Sequence, residues 1–243
     1  MEKLEIRNLS IKAGEKNIAR DISLSVAPGE VHVLMGPNGS GKSSLVNALM
    51  GHPKYAITGG EVLLGGEDIT FLSTDKKAKR GLFLSLQHLP EIDGVALEKF
   101  LFRAHKEMTG QDMNVLDFHK HLVSRAEEYG LPEDFLRRNV NAGMSGGEKK
   151  QNEAFQLAFF EPKFAFLDEI DSGVDIDALE KVFSVINALR KKGTGFLLIT
   201  HYGKILEKIT PDVVHIMKGG KMIREGGPEL AAEILETGFK DKE

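Results

Sequence analysis

The segment VHVLMGPNGSGKSS, residues 31–44, decides the fold that we expect for this chain of 243 residues. A nearly continuous apolar run comes first, as in a strand that is buried on both faces of a parallel sheet. The glycine-rich stretch that follows fits the pattern G-x-x-x-x-G-K-S and leads directly into a helical stretch. A strand, a glycine-rich loop and a helix in this order predict a phosphate-binding loop in an α/β fold.

The residues of this loop have distinct expected roles. Backbone N–H groups at glycine positions converge on phosphate oxygens, and the helix start adds a favourable dipole. Lys42 would reach the β- and γ-phosphates and the Ser43 hydroxyl would ligate Mg²⁺, so ATP and Mg²⁺ are the expected cofactors. An ordinary glycine-rich turn is the alternative, but it gives no reason for a Lys-Ser pair at a helix start. The expected nucleotide-binding residues here are Gly36, Pro37, Asn38, Gly39, Ser40, Gly41, Lys42, Ser43 and Ser44.

A second apolar run, residues 164–167, ends in the acidic pair Asp168-Glu169. A carboxylate at the C-terminal end of a parallel strand can face a metal ion, so we expect Asp168 to hold Mg²⁺ through water. Glu169 would then lie near the γ-phosphate, where a carboxylate can orient and deprotonate an attacking water. Taken alone, two acids after a strand are more often a solvated loop, and the phosphate loop is what favours the catalytic interpretation.

The stretch Ser145-Gly146-Gly147-Glu148 is expected to begin a helix, with Ser145 as its N-cap. A capped helix explains the serine, but two adjacent glycines at a helix start favour the close approach of an anion over stability. One nucleotide does not need two helix N-termini from distant segments. We therefore expect Ser145, Gly146, Gly147 and Glu148 to face an ATP that is bound by a second molecule.

His201 and Gln87 are the remaining catalytic candidates. His201 follows the apolar run 196–200, where a ring N–H can contact the γ-phosphate. Gln87 follows the apolar run 82–86 and is expected to reach both Mg²⁺ and the attacking water. A single histidine more often has a structural role on the surface or in the core, and a glutamine at the end of a strand does not by itself indicate a catalytic role. His215 lies inside a strand-like run and is interpreted as structural.

The rest of the chain predicts a second sheet and a helical insertion. Residues 4–11, 22–26 and 61–64 are short strand-like runs, typical of an antiparallel and half-exposed sheet. Residues 97 to about 130 have apolar residues at helical spacing and no strand signal, which indicates an inserted helical lobe. Strand and helix alternate again after Pro162, as in a parallel α/β sheet. A hairpin over residues 213–223 and a helix from about Pro228 complete the expected elements.

Composition narrows the function. A net charge of -4, from 32 Lys and Arg against 36 Asp and Glu, offers no basic field for nucleic acid, which is therefore not an expected partner. The absence of Cys excludes disulfides and thiolate-bound zinc or iron–sulfur clusters on this chain. No segment approaches the roughly 20 apolar residues that span a bilayer, and the first ten residues lack a signal-peptide core. We expect a cytoplasmic protein with no direct membrane insertion.

Taken in order, these motifs resemble the complete set of an ATP-binding-cassette (ABC) ATPase. The set includes residues 36–43, Gln87, 145–148, 164–169 and His201, and also Ser172-Gly173-Val174-Asp175. The resemblance covers nearly the whole chain. It implies a P-loop NTPase of ABC type, α/β in class, with a mainly parallel core sheet, an antiparallel β subdomain and an inserted α-helical lobe. It also implies ATP hydrolysis, a transient ATP-dependent dimer of the chain with itself, and a place for Asp175 at the dimer seam.

The same resemblance implies a single ABC ATPase domain over residues 1–243. Residues 1–86 and 160–243 would form the nucleotide-binding core, and residues from about 87 to 159 would form the Gln87 loop, the helical lobe and the helix after Ser145. Two positions depart from the family pattern: Gln151 stands where relatives commonly carry Arg, and Ala13 stands where an adenine-stacking aromatic often lies.

Several stretches resemble a narrower group, the SufC ATPase subunits of SUF iron–sulfur cluster assembly systems. This resemblance implies SufB- and SufD-like partner subunits in which ATP drives a conformational change. The ATP-binding subunit of a membrane transporter is the alternative, because both share every catalytic residue and differ only on the surface that meets partners. A nucleotide-gated adaptor that hardly turns over is a third interpretation, against which Glu169 and His201 argue. The stretches are residues 56–60, 90–95, 144–150, 171–179, 200–202 and 211–212.

Overall fold

The protein is described by a computed structural model that covers residues 2–86, 89–170, 176–200 and 204–239. The chain divides into two compact units. We call them the core unit, which comprises Met1–Leu86, Pro162–Asp171 and Asn187–Glu243, and the helical unit, which comprises Gln87–Glu161 and Ser172–Ile186.

Strands and helices are numbered in chain order. The first part of the chain contains β1 (Leu4–Ala13), β2 (Lys16–Val26), β3 (Val31–Met35), α1 (Lys42–Leu49), β4 (Ala56–Leu64), β5 (Glu67–Asp68), α2 (Thr74–Lys79), β6 (Leu82–Ser85), β7 (Ile92–Ala96), α3 (Leu97–Thr109) and α4 (Val115–Glu128). The second part contains α5 (Glu133–Arg137), β8 (Asn139–Val140), α6 (Gly146–Phe160), β9 (Phe164–Asp168), α7 (Ile176–Lys191), β10 (Gly195–Ile199), α8 (Lys204–Lys208), β11 (Val213–Lys218), β12 (Lys221–Gly226) and α9 (Pro228–Thr237).

A six-stranded sheet in the order β12-β11-β3-β10-β9-β6 forms the centre of the core unit. All neighbouring strands are parallel except β12, which pairs antiparallel with β11. Strands β3, β9 and β10 are buried along their whole length, as their apolar runs predict. In the register, Ile199 of β10 pairs with Leu34 of β3 on one side and with Asp168 of β9 on the other. The C-terminal ends of these three strands therefore lie side by side.

A second sheet of the core unit, β2-β1-β4-β5, is antiparallel throughout. In β2, Ile22, Leu24 and Val26 are buried while Ser23 and Ser25 between them are exposed. This alternation confirms the predicted half-exposed antiparallel sheet. The buried face of this sheet, α1 and part of the parallel sheet share one apolar core.

The helical unit has an apolar core of its own, which includes Leu101 of α3, Phe118 and Leu122 of α4, and Phe155 of α6. Helices α3 and α4 confirm the lobe that the sequence predicts from residue 97 onward. A short antiparallel pair, β7 with β8, also lies in this unit. The sequence does not predict it, because Gly94 interrupts the apolar pattern of β7 and β8 has only 2 residues.

The predicted fold class is confirmed: an α/β protein with a mainly parallel core sheet, an antiparallel β subdomain and an inserted α-helical lobe. The hairpin β11–β12 and the final helix α9 also occupy their predicted positions. Across the part of the chain that is described, none of the helices combines the length and the apolar character needed to cross a bilayer.

Candidate active site

The candidate active site lies at the C-terminal ends of β3 and β9 in the core unit. Strand β3 continues into the loop of residues 36–41, after which α1 begins at Lys42, and β9 ends at Asp168. The Ser43 hydroxyl donates a hydrogen bond to Asp168 Oδ1 over 3.1 Å. The phosphate-binding loop and the acidic strand end are therefore brought together, although they lie more than a hundred residues apart in the sequence.

Two glycines give the loop a path that other residues cannot follow. Gly36 has φ 155° and Gly41 has φ 109°. A Cβ atom on Gly36 would lie 2.0 Å from the carbonyl oxygen of Met217, and one on Gly41 would lie 3.1 Å from the carbonyl oxygen of Ile18. The loop thus packs backbone against backbone on β2 and β11, which fixes its shape.

The N-terminal end of α1 fits a bound anion. Its N-cap is Gly41, and among the described residues no side chain caps the helix and no acid lies in its first turn. The first N–H groups of the helix and the positive end of its dipole are thus left for phosphate oxygens. Ser40 adds a buried hydroxyl that has no hydrogen-bond partner within the described chain. Such a hydroxyl costs free energy, and a phosphate oxygen would supply the missing acceptor.

Lys42 is buried inside this loop, where its ammonium donates to the carbonyl oxygens of Gly36 at 2.8 Å and Pro37 at 3.2 Å. Burial lowers the pKa of this ammonium, and the carboxylates of Glu169 and Asp168 act in the opposite direction and raise it. A positive charge therefore lies in the loop itself, within reach of the Asp168 and Glu169 carboxylates.

Ser43 and Asp168 have the chemistry of Mg²⁺ ligands. Hydroxyl and carboxylate oxygens are hard ligands of the kind that Mg²⁺ prefers; Ser43 would ligate the ion, and Asp168, which accepts the Ser43 hydrogen bond, would hold it through water. Asn47 Nδ2 donates to the Ser43 carbonyl at 2.7 Å and holds that residue in place. The described residues contain no group of three or more His, Cys, Asp or Glu side chains suited to a metal. A hydroxyl and a carboxylate suit Mg²⁺, which at nucleotide sites completes its shell with phosphate oxygens and water.

Glu169 follows β9 with an unusual backbone conformation. Its φ of 52° lies in the left-handed region, which residues other than glycine seldom adopt. Its N–H donates to the carbonyl oxygen of Ile199 at 3.0 Å, which ties the turn to β10. Backbone strain of this kind costs on the order of 1–3 kcal/mol and is concentrated at functional sites. The Glu169 carboxylate is close enough to raise the pKa of Lys42, so Glu169 lies near the phosphate loop. Its catalytic role stays a prediction.

The start of α6, in the helical unit, has the capped structure that the sequence predicts. The Ser145 hydroxyl accepts a hydrogen bond from the Glu148 N–H at 3.3 Å, and the Glu148 carboxylate accepts one from the Ser145 N–H at 2.8 Å. The pKa of Glu148 is lowered to about 2, mainly by the Arg138 guanidinium and to a smaller extent by the Ser145 N–H. Glu148 thus orders the helix start, while Ser145 and Gly146 are exposed. Contact of Ser145, Gly146, Gly147 or Glu148 with a nucleotide stays a prediction.

Three predicted site residues, Gln87, His201 and Asp175, lie outside the described residues. Of the two departures from the family pattern, Gln151 lines a small cavity of about 130 Å³ in the helical unit. Ala13 is the last residue of β1 and pairs with Lys16 of β2. The roles assigned to all five stay predictions.

The sequence analysis missed the residues that support the phosphate loop from behind. Ile18 and Met217 contact its glycines, Asn47 holds Ser43, and the Gly220 N–H donates to the Ser40 carbonyl at 3.1 Å. The glycine pair in the β11–β12 turn was visible as a hairpin signal. Its position against the loop was not, because it depends on the pairing of β11 with β3.

Comparisons with known proteins agree with this geometry. The family model described as ABC transporter matches residues 19–172. A Bacillus subtilis (strain 168) protein named Vegetative protein 296 is 43% identical over 97% of this chain and 91% of its own length. A Pyropia yezoensis protein named Probable ATP-dependent transporter ycf16 is 42% identical over 97% of this chain and 96% of its own. A crystal structure of a nucleotide-free ATP-binding cassette from an ABC transporter is 26% identical and has a TM-score of 0.79, over 97% of this chain and 96% of that one.

The extent of these matches establishes the family, and the geometry of the phosphate loop, Lys42 and the Ser43–Asp168 pair agrees with it. The chain therefore belongs to the ABC transporter ATP-binding cassette family, and it is an ATPase that uses ATP with Mg²⁺.

Proposed function

We propose that two copies of the chain close around ATP, with each nucleotide between the phosphate loop of one copy and residues 145–147 of the other. The exposed start of α6 supports this arrangement, because Ser145 and Gly146 are open to solvent and Arg138 neutralises the Glu148 carboxylate there, so an anion held by another chain can approach. The core unit already has its own anion site at α1. The second helix start is thus left to serve another nucleotide, and Asp175 would lie at the seam between the copies.

Within each site the side chains have separate tasks. The loop backbone and Lys42 bind the phosphates and neutralise their charge, and Ser43 and Asp168 hold Mg²⁺. Bound Mg²⁺ supplies further charge compensation on the phosphate oxygens. Glu169 accepts a proton from the attacking water. Gln87 and His201 complete the proposed catalytic set.

We further propose that closure does mechanical work on SufB- and SufD-like subunits in cytoplasmic iron–sulfur cluster assembly. The resemblance of residues 144–150 and 171–179 to the SufC ATPases carries this step. Because the chain has no Cys, it has no thiolate to ligate a cluster. The cluster must therefore form on the partner subunits. ATP can move such partners only if they bind the open and closed states with different affinities.

A groove in the helical unit offers these subunits a docking place. It encloses about 470 Å³, and its lining includes Phe102, Val115 and Leu116. Val115 is 64% exposed and Leu116 is 73% exposed, and adjacent large apolar side chains on a surface mark interaction sites. Glu98 and Arg137 also line the groove and add charges of both signs. An amphipathic helix of a partner subunit fits this combination of apolar floor and charged side chains.

The ATP-binding subunit of a membrane transporter is the second candidate. The description of the matching family and the name of the Pyropia yezoensis relative both favour it. In that case the same groove would receive a segment of a membrane-spanning permease, and the nucleotide chemistry would be unchanged.

Affinity purification of the tagged chain from its native host separates the two candidates. We expect recovery in the soluble fraction with SufB- and SufD-like proteins, and a higher ATPase rate in that complex than for the chain alone. Recovery from detergent-solubilised membranes with a multi-span permease, and without those proteins, would establish the transporter role instead.

A further inference from the structure

Lys77 of α2 is a lysine in an unusual place. Its side chain is completely buried in the core unit, whereas lysine is among the residue types least often found there. Its ammonium donates to two backbone carbonyls, that of Leu49 at 2.7 Å and that of Thr70 at 3.1 Å. A cation is therefore held inside the core unit by two peptide oxygens.

One of these acceptors belongs to the helix that follows the phosphate loop. Leu49 is the last residue of α1, whose first residue is Lys42, and the helix has 8 residues. At a rise of 1.5 Å per residue, its two ends are about 12 Å apart. Lys77 thus binds the negative end of the helix whose positive end faces the phosphates.

The charge of Lys77 is not cancelled by a direct ion pair. Within the described chain, no carboxylate lies within salt-bridge distance of its ammonium, and Asp68 is the ionisable group that acts on it. Asp68 accepts hydrogen bonds from the Thr70 N–H at 2.8 Å and from the Thr70 hydroxyl at 2.5 Å, so Thr70 stands between the two charges. Burial lowers the pKa of Lys77 to about 8, against the opposing effect of Asp68.

We propose that Lys77 is a positioning residue for ATP: it anchors the C-terminal end of α1 and adds positive potential along that helix to the bound phosphates. The anchoring acts through the carbonyl of Leu49, and the potential acts through the protein interior, where charges are screened less than in water. This proposal needs only the phosphate loop of one copy, so it does not depend on a dimer or on the identity of partner subunits.

A change of pH can separate the effect of the Lys77 hydrogen bonds from the effect of its positive charge. A neutral amine keeps two N–H donors, enough for the carbonyls of Leu49 and Thr70, so deprotonation removes the charge and leaves both hydrogen bonds possible. ATP is an anion and binds more tightly when Lys77 is protonated. Its affinity should therefore be high below the pKa of Lys77 and fall as pH rises through about 8. By linkage, bound ATP must raise the pKa of Lys77 by the same free energy.

The test is the dissociation constant of Mg-ATP between pH 7 and pH 9.5 for wild type, Lys77→Met and Lys76→Met. Lys76 is an exposed lysine next to Lys77 and serves as the matched control. At pH 7 we expect Lys77→Met to bind Mg-ATP about fivefold more weakly than wild type, the scale of one unit charge acting over about 15 Å in a protein interior, because the ammonium and the phosphates lie beyond opposite ends of α1. The difference should shrink as pH rises through 8, while Lys76→Met follows wild type. Parallel curves for wild type and Lys77→Met would overturn the role of the charge.

A second measurement needs no variant of Lys77 and covers the case in which Lys77→Met does not fold. NMR titration of side-chain-labelled lysine in the wild-type chain gives the pKa of Lys77 with and without saturating Mg-ATP. We expect Mg-ATP to raise this pKa by about 0.7 pH unit. A pKa that does not change on ATP binding would contradict the proposal.

Discussion

The Ser43 hydroxyl donates a hydrogen bond to the Asp168 carboxylate over 3.1 Å, and this contact joins the first turn of α1 to the end of β9. A hydroxyl and a carboxylate held together in this way would serve one Mg²⁺ ion, Ser43 directly and Asp168 through water. Lys42 lies beside them with its charge inside the loop. The core unit therefore brings together the groups that we propose bind ATP with Mg²⁺.

Removal of the Ser43 hydroxyl should weaken Mg²⁺ binding more than ATP binding. For Ser43→Ala we expect the Mg²⁺ concentration at half-maximal ATPase activity to rise at least about tenfold, on the scale of one lost metal ligand or its orienting contact. Ser25→Ala removes an exposed hydroxyl from β2, outside the site, and should keep the wild-type Mg²⁺ dependence. The same Mg²⁺ dependence in wild type and Ser43→Ala would remove Ser43 from the metal site.

Glu169→Gln should leave ATP binding intact and stop turnover, because glutamine keeps the shape of the side chain and loses the base. We expect hydrolysis at least about a hundredfold slower, the scale of a missing positioned general base. Glu161→Gln is the control, since Glu161 also has a positive φ, 43°, but lies at the end of α6 in the helical unit. Near-normal turnover in Glu169→Gln, measured as phosphate release, would discard Glu169 as the base.

A charge placed in the groove of the helical unit should block partner binding without affecting the chemistry. We expect Leu116→Glu to lose co-purification with SufB- and SufD-like subunits while the ATPase rate of the isolated chain is unchanged. Leu235→Glu changes another exposed leucine, 44% exposed in α9 of the core unit, and should keep the partners. Normal recovery of partners by Leu116→Glu would rule out the groove as the docking place.

His215 should make the fold sensitive to mild acid. Burial, and secondly the neighbouring His32, lower the pKa of His215 to about 4 from 6.5. As pH drops from 6.5 toward 4, His215 is protonated in the unfolded chain but stays neutral in the folded chain. The free energy of unfolding therefore falls over this range. For this residue we expect a loss of about 2 kcal/mol between pH 7 and pH 5.

Urea denaturation at a series of pH values measures this loss. His215→Gln should flatten the pH dependence of the free energy of unfolding between pH 7 and pH 5, whereas the exposed His52→Gln should follow wild type. Equal slopes for His215→Gln and wild type would show that His215 does not carry the acid sensitivity.

The sequence predicts best where one local pattern determines both structure and chemistry. The loop of residues 36–43 is such a case, because its glycines and its Lys-Ser pair have no other common explanation. Alternating burial in β2 likewise follows from local polarity. The proximity of Ser43 and Asp168 is less local: the sequence predicts that both serve one Mg²⁺ ion, since a parallel strand ends at the edge of the sheet where the phosphate loop lies, but it does not predict the direct hydrogen bond between them.

Features that depend on distant pairing escaped the sequence. Lysine is normally a surface residue, so the sequence does not predict that Lys77 is buried. Its burial follows from the packing of α2 near the ends of α1 and β5. The ion pair of Arg138 with Glu148 joins residues ten positions apart, and no periodic pattern in the sequence between them predicts it. The pair β7–β8 depends on a contact between short segments more than forty residues apart. In each case tertiary packing outweighs local preference.

Mixed dimers of Lys42→Ala and Ser145→Arg test the shared nucleotide site most directly. Lys42→Ala removes the ammonium of the phosphate loop, Ser145→Arg blocks the start of α6, and each variant alone should be inactive. In an equal mixture, half of the dimers are mixed and each has one intact site, so we expect about a quarter of the wild-type ATPase rate to return. Separate affinity tags on the two variants verify that mixed dimers form. No recovered activity in verified mixed dimers would contradict the sharing of ATP between two copies of this chain.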